Sequence, residues 1–195
     1  MKDSCDYAYA VGRVRGLEAK LIPPGVFRSA AEAGALTEVL NILSEAAHAE
    51  EVKTIKNSQD LERFLKEQVR GLKVTVTQLL DEEQISGALF SLQEDPDSAE
   101  AKVGEAKLEF LDSLLKHAAN LKDRTARFSP SDYLSAEKLK AGGISDFLAG
   151  ARYIVFGPEP VIGYYFGKLN EIRLLRWVIL GKINQVPKDI LSALI

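Results

Sequence analysis

Cysteine and histidine are scarce in this chain of 195 residues. The single cysteine, Cys5, excludes an intramolecular disulfide and with it a scaffold held by disulfides. The two histidines, His48 and His117, fall on different predicted helices, and no set of ligands at helical spacing surrounds either of them. A metal site or a Ser–His–Asp arrangement is therefore not indicated, and we expect both histidines to be structural.

The chain also lacks an excess of charge of one sign. Its 25 lysines and arginines stand against 28 aspartates and glutamates, for a formal net charge of −3, and no long block carries one sign. A polybasic footprint is the usual mark of proteins that bind nucleic acid or anionic lipid, so neither partner is expected. With 46% apolar residues, the composition is that of a folded globular protein.

Neither a targeting signal nor a membrane span is evident. The opening MKDSCDYAYA contains no apolar run of the kind found in signal peptides. Residues 161–183 are long enough to span a bilayer. They nevertheless carry five charged side chains: Lys168, Glu171, Arg173, Arg176 and Lys182. Because a central Arg or Lys costs roughly 2.5–3.5 kcal/mol on insertion, this segment is predicted to be protein core, and we expect a soluble cytoplasmic protein.

Catalytic motifs are missing too, since the chain contains no G-x-G-x-x-G, G-x-x-x-x-G-K-[ST], H-E-x-x-H or C-x-x-C. The acidic run Asp81–Glu83 could suggest acid–base catalysis, but consecutive helical positions point in different directions, and a helix start is favoured. The aromatic run Tyr164–Phe166 is interpreted as core and interface bulk. No catalytic, cofactor-binding or metal-binding residue is therefore predicted.

What the chain does contain is helical periodicity. Apolar residues recur at three- and four-residue steps, which predicts an all-α protein. The first helix is predicted to end at Pro23-Pro24-Gly25, because proline lacks an amide donor and restricts the residue before it. The predicted helices cover residues 6–22, 26–33, 36–45, 58 onward, 103–121, 132–139, 157–184 and 188–195.

Two places within this pattern are less regular. Ser58 is a predicted N-cap, and the β-branched run Lys73–Thr77 would allow a short strand, although continued helix is favoured. The polar stretch 92–100, which contains Pro96, is the best candidate boundary. It divides the chain into an N-terminal segment, 1–95, and a C-terminal segment, 96–195, unless the two form one continuous domain.

The C-terminal helix carries the most informative pattern. On a helical wheel Arg176 falls in the middle of the apolar face, and Arg173 lies beside that face. Three further charged residues form a largely polar strip: Lys168, Glu171 and Lys182. An unpaired buried charge costs several kcal/mol, so Arg176 is predicted to pair with an acid of a neighbouring helix, with Glu18 as the first candidate. The alternative is a charge that Arg176 presents to a partner protein.

The run 155–184 resembles the carboxy-terminal signature of the C-subunit family of V-type (archaeal and bacterial) rotary ATPases and ATP synthases, whose counterpart in eukaryotic vacuolar ATPases is the d-subunit. The similarity consists of a GPEP turn, a helix with the pattern K-x-x-E-I-x-x-x-R, and a G-K-x-N motif at the end of the run. The matching residues are Gly157, Pro158, Glu159, Pro160, Lys168, Glu171, Ile172, Arg176, Gly181, Lys182 and Asn184. The opening run Tyr7–Leu21 is similar to the first helix of that family, and 111–127 is less distinctly similar to a middle segment.

The resemblance implies a mechanical function without catalysis. Members of the family are built from three related helical segments around a funnel, and they act as a socket and spacer between the central stalk and the membrane rotor ring. The expected partners are therefore central-stalk subunits and proteolipid ring subunits, in a cytoplasmic complex at the membrane that transports protons or sodium ions. Material around 128–152 is missing relative to the family, which indicates a shortened member. The competing hypotheses are a free-standing helical adaptor derived from the family and, less favoured, a small-molecule enzyme.

Overall fold

The computed structural model describes residues 7–47, 49–94 and 153–195, and over these ranges the predicted all-α fold is confirmed. They contain seven α-helices, one 3-10 helix and no strand. The helices are α1 (Ala8–Glu18), α2 (Pro24–Glu32), α3 (Leu36–Ala47), the 3-10 helix (Glu50–Thr54), α4 (Ser58–Leu80), α5 (Glu83–Glu94), α6 (Glu159–Ile183) and α7 (Lys188–Leu194). The helices predicted at 103–121 and 132–139, both histidines and the 95/96 boundary lie outside the described residues, so these predictions remain untested.

The helix boundaries follow local chemistry. Helix α2 begins with a proline in its first turn, where the missing N–H is not needed. The cap of α4 is Asn57, whose Oδ1 accepts from the N–H groups of Gln59 and Asp60 at 2.9 Å each. The prediction that Ser58 is the N-cap is wrong by one residue, since Ser58 is already helical. Helix α4 continues through 73–77, so the favoured helix is confirmed over the short strand.

The chain divides into two compact units. Unit 1 consists of the described residues within Met1–Val14 and Thr75–Gly163, and unit 2 of those within Arg15–Val74 and Tyr164–Ile195. Helices α1, α4 and α6 each contribute residues to both units. A helix that is shared in this way cannot be assigned to one unit from its sequence alone.

Each unit has its own buried apolar core. Among the largest fully buried side chains, unit 1 contains Val14, Leu80, Leu89 and Ile162, and unit 2 contains Phe27, Val39, Leu43, Val52, Leu61, Tyr165 and Ile179. Within unit 2, α2 packs against α3 and α7, and α3 packs against the 3-10 helix. Burial of such side chains is the main favourable contribution to folding, at about 1.5–3 kcal/mol for each large apolar group.

None of the described helices is both long enough and apolar enough to cross a bilayer. Helix α6 has the length, at 25 residues, but it begins with Glu159 and carries charged side chains from Lys168 to Lys182. The prediction that this segment belongs to the protein core is confirmed by its buried residues, which include Tyr164, Tyr165, Ile172 and Val178.

Candidate functional site

The GPEP turn, Gly157–Pro160, opens helix α6. Gly157 has φ = +139°, a backbone conformation that residues with a Cβ rarely adopt. A Cβ at this position would also collide with the carboxylate of Glu159, which folds back over the glycine. Pro160 lies buried in the first helical turn, and the Ile162 N–H donates to the carbonyl of Pro158 at 3.0 Å. The turn is therefore a helix start that requires glycine at its first position.

We expect Gly157→Ala to lower the free energy of unfolding by about 1–3 kcal/mol, because the backbone conformation is strained for alanine. Chemical denaturation monitored by circular dichroism would measure the change. The matched control is Gly12→Ala in α1, where nothing lies near the added methyl group. That control should raise stability by about 0.5–1 kcal/mol. Equal stability of Gly157→Ala and the wild type would contradict the strained turn.

Glu171 lies at the centre of the contacts that α6 makes in unit 2. Its side chain is only 4% exposed. Oε2 accepts the backbone N–H of Ile22 at 2.8 Å, and Oε1 pairs with the ammonium group of Lys168 one turn earlier. The polar strip that Glu171 shares with Lys168 and Lys182 is therefore buried at this position, where the carboxylate satisfies the backbone just before the Pro23-Pro24 break.

Lys182 makes the corresponding contact at the other end of α2. Its Nζ donates to the carbonyl oxygens of Ala31 and Ala33, both at 2.7 Å. These carbonyls belong to the carboxy-terminal end of α2, where the helix has no partners of its own for them. Burial, together with the nearby charge of Lys188, lowers the pKa of Lys182 below its ordinary value, although Glu38 acts in the opposite direction.

Glu171 and Lys182 together hold both ends of α2 against α6. Glu171 contacts the chain just before α2 and Lys182 contacts its last carbonyls, so the contacts follow the same order along both helices. The two residues are eleven positions apart, roughly 16 Å along α6. The negative side chain stands at the positive end of the α2 dipole and the positive side chain at its negative end, which is the favourable arrangement at both ends. We call this pair the α2 tether.

Arg176 pairs with Glu62 of α4, also in unit 2. Its Nε lies 3.0 Å from Glu62 Oε1, and its Nη2 lies 2.5 Å from Glu62 Oε2. The predicted pairing with an acid of a neighbouring helix is therefore confirmed, but Glu18 is the wrong partner. Glu18 instead pairs with Arg15 of its own helix at 2.7 Å. Nor is Arg176 buried in the apolar face, since 49% of its side chain is exposed.

The ion pair between Arg176 and Glu62 should contribute little to stability. Both side chains are well exposed, at 49% and 38%, so solvent screens their attraction. A double-mutant cycle of Arg176→Ala and Glu62→Ala should give a coupling energy of about 0.2–1 kcal/mol that shrinks in high salt. A coupling above about 2 kcal/mol that persists in concentrated salt would contradict this assignment.

Three further residues of the run 155–184 make local contacts. The guanidinium of Arg173 lies 4.9 Å from the centre of the Trp177 ring, and it donates to Asn170 Oδ1 at 2.6 Å. Asn184 is exposed just beyond the end of α6, and its N–H donates to the carbonyl of Leu180 at 3.0 Å. Gly181 lies against the side chain of Leu191 in α7, leaving no room for a Cβ. The glycine therefore allows α7 to pack closely on α6.

Tyr164 is the other buried polar side chain near Glu171. Burial is the main cause that raises the pKa of the Tyr164 phenol, and the negative charge of Glu171 adds to it. The phenol of Tyr164 therefore loses its proton at a higher pH than an ordinary tyrosine does. Its neighbour Tyr165 is fully buried and meets the ring of Phe166 edge to face, with centroids 5.5 Å apart. The interpretation of this aromatic run as core is confirmed for both tyrosines.

Sequence reasoning identified the charged residues of α6 but missed most of their partners. Glu62, the Ile22 N–H and the carbonyls of Ala31 and Ala33 were not predicted. One signal could have pointed to the backbone partners: the Pro23-Pro24 break leaves backbone groups that need partners, and buried backbone groups are nearly always paired. Among the residues that the structure describes, no group of three or more His, Cys, Asp or Glu is placed to hold a metal ion.

A comparison of the chain with protein-family models, with curated proteins and with solved structures gives no match. The features that bear on function are those of the chain itself, namely the run 155–184 and the contacts made by its side chains.

Proposed function

We propose that the chain is a non-catalytic central-stalk component of a V-type rotary ATPase or ATP synthase, a socket and spacer that couples the stalk to the membrane rotor ring during proton or sodium transport. Two features of the sequence support this proposal. The run 155–184 resembles the closing signature of the C-subunit family of these motors, and Tyr7–Leu21 resembles its opening helix. The protein would then be a shortened member, held at the cytoplasmic side of the membrane through the ring.

The observation that carries the proposal is the use that unit 2 makes of the charged signature residues. Lys168, Glu171, Arg176 and Lys182 all contact other groups of the protein, and three of them join α6 to another segment of unit 2. A part that transmits torque needs helices that do not slide or fray under load. Side chains that hold backbone groups at both ends of α2 serve that requirement, since a helix end without partners is the first part to open.

The direct test is co-purification under native conditions. The affinity-tagged chain would be expressed in its source organism, and membranes would be solubilised in a mild detergent. We expect the catalytic subunits, the central-stalk subunits and the proteolipid ring to be recovered together with the tagged chain. As a control, the same purification from a strain with the tag alone should recover none of them. Recovery of the chain without any motor component would refute the proposal.

A second measurement tests coupling itself. In membrane vesicles that lack the chain, ATP-driven ion pumping should be lost, and addition of the purified chain should restore it. A Glu171→Gln variant should restore less pumping than Glu45→Gln. Glu171 is one of the two residues of the α2 tether, whereas Glu45 is an exposed acid of α3. Undiminished pumping without the chain would contradict the assigned role. Capture of other proteins in place of the motor would instead support the adaptor alternative.

A further inference from the structure

We draw no further inference here: the strongest candidate, the exposed apolar surface patch formed by Tyr153, Val155 and Phe156 just before α6 in unit 1, carries no proposal because nothing in the structure shows what covers it.

Discussion

Glu171→Ala should lower the free energy of unfolding by about 3 kcal/mol, the largest effect expected of any charged residue in α6. The carboxylate is buried, and its removal leaves the Ile22 N–H without an acceptor and Lys168 without its ion-pair partner. A buried donor that loses its acceptor costs the full desolvation penalty of that group. Chemical denaturation would measure the change, and amide exchange should show that protection at Ile22 is lost first.

Two further variants separate the role of the charge from that of the hydrogen bond. Glu171→Gln keeps an oxygen that can accept the Ile22 N–H but removes the charge that pairs with Lys168, so its loss should be intermediate. Glu45→Ala removes an exposed acid of α3 and should stay within about 0.5 kcal/mol of the wild type. A loss in Glu171→Ala no larger than that of Glu45→Ala would show that the tether contributes nothing.

Lys182→Met should cost roughly 2 kcal/mol, because methionine fills the space of the aliphatic stem but cannot donate to the two carbonyls at the end of α2. Amide exchange should become faster in the last turn of α2, while α3 changes less. Lys20→Met, at an exposed position, is the control and should be close to neutral. Unchanged exchange in α2 would contradict the role of Lys182 at that helix end.

The lowered pKa of Lys182 makes a separate prediction about pH. Because burial lowers this pKa in the folded protein, the unfolded chain binds more protons as the pH approaches 10.5 from below. The contribution of Lys182 to stability should therefore rise with pH through that window and be smallest where the ammonium is charged in both states. The difference in stability between wild type and Lys182→Met should consequently grow as the pH is raised toward 10.5. A difference that shrinks over this range would show that the charge itself stabilises the tether.

The helical fold was predictable from local signals. Proline pairs, polar runs and the three- and four-residue recurrence of apolar residues correctly predicted α2, α3, the long extent of α4, and both ends of α6. These features depend on residues that are close in sequence, where backbone restrictions and helical periodicity act directly. The predicted N-cap of α4 was one residue too late. Asn57 precedes Ser58, and its side chain is equally suited to accept the free N–H groups of the first turn.

The sequence pattern pointed to the residues of the candidate site but not to their burial or their partners. The helical wheel placed Arg176 on an apolar face and Glu171 on a polar strip, yet Arg176 is half exposed and Glu171 is buried. A wheel shows which residues share a face but not which neighbour covers that face. The Ile22 N–H, just before the Pro23-Pro24 break, needs an acceptor and lies beside α6. The carboxylate of Glu171 is buried because it is that acceptor.

The sequence by itself determined that the part of the chain described by the structure is helical, and that α2, α4, α6 and α7 begin beside particular prolines and polar residues. Only the tertiary structure decided that Glu171 and Lys182 hold opposite ends of α2 and that Glu62 rather than Glu18 meets Arg176. The reason is physical. Helix formation depends on neighbours a few residues away, whereas the burial of a charge depends on which backbone and side-chain groups, distant in sequence, come to lie beside it.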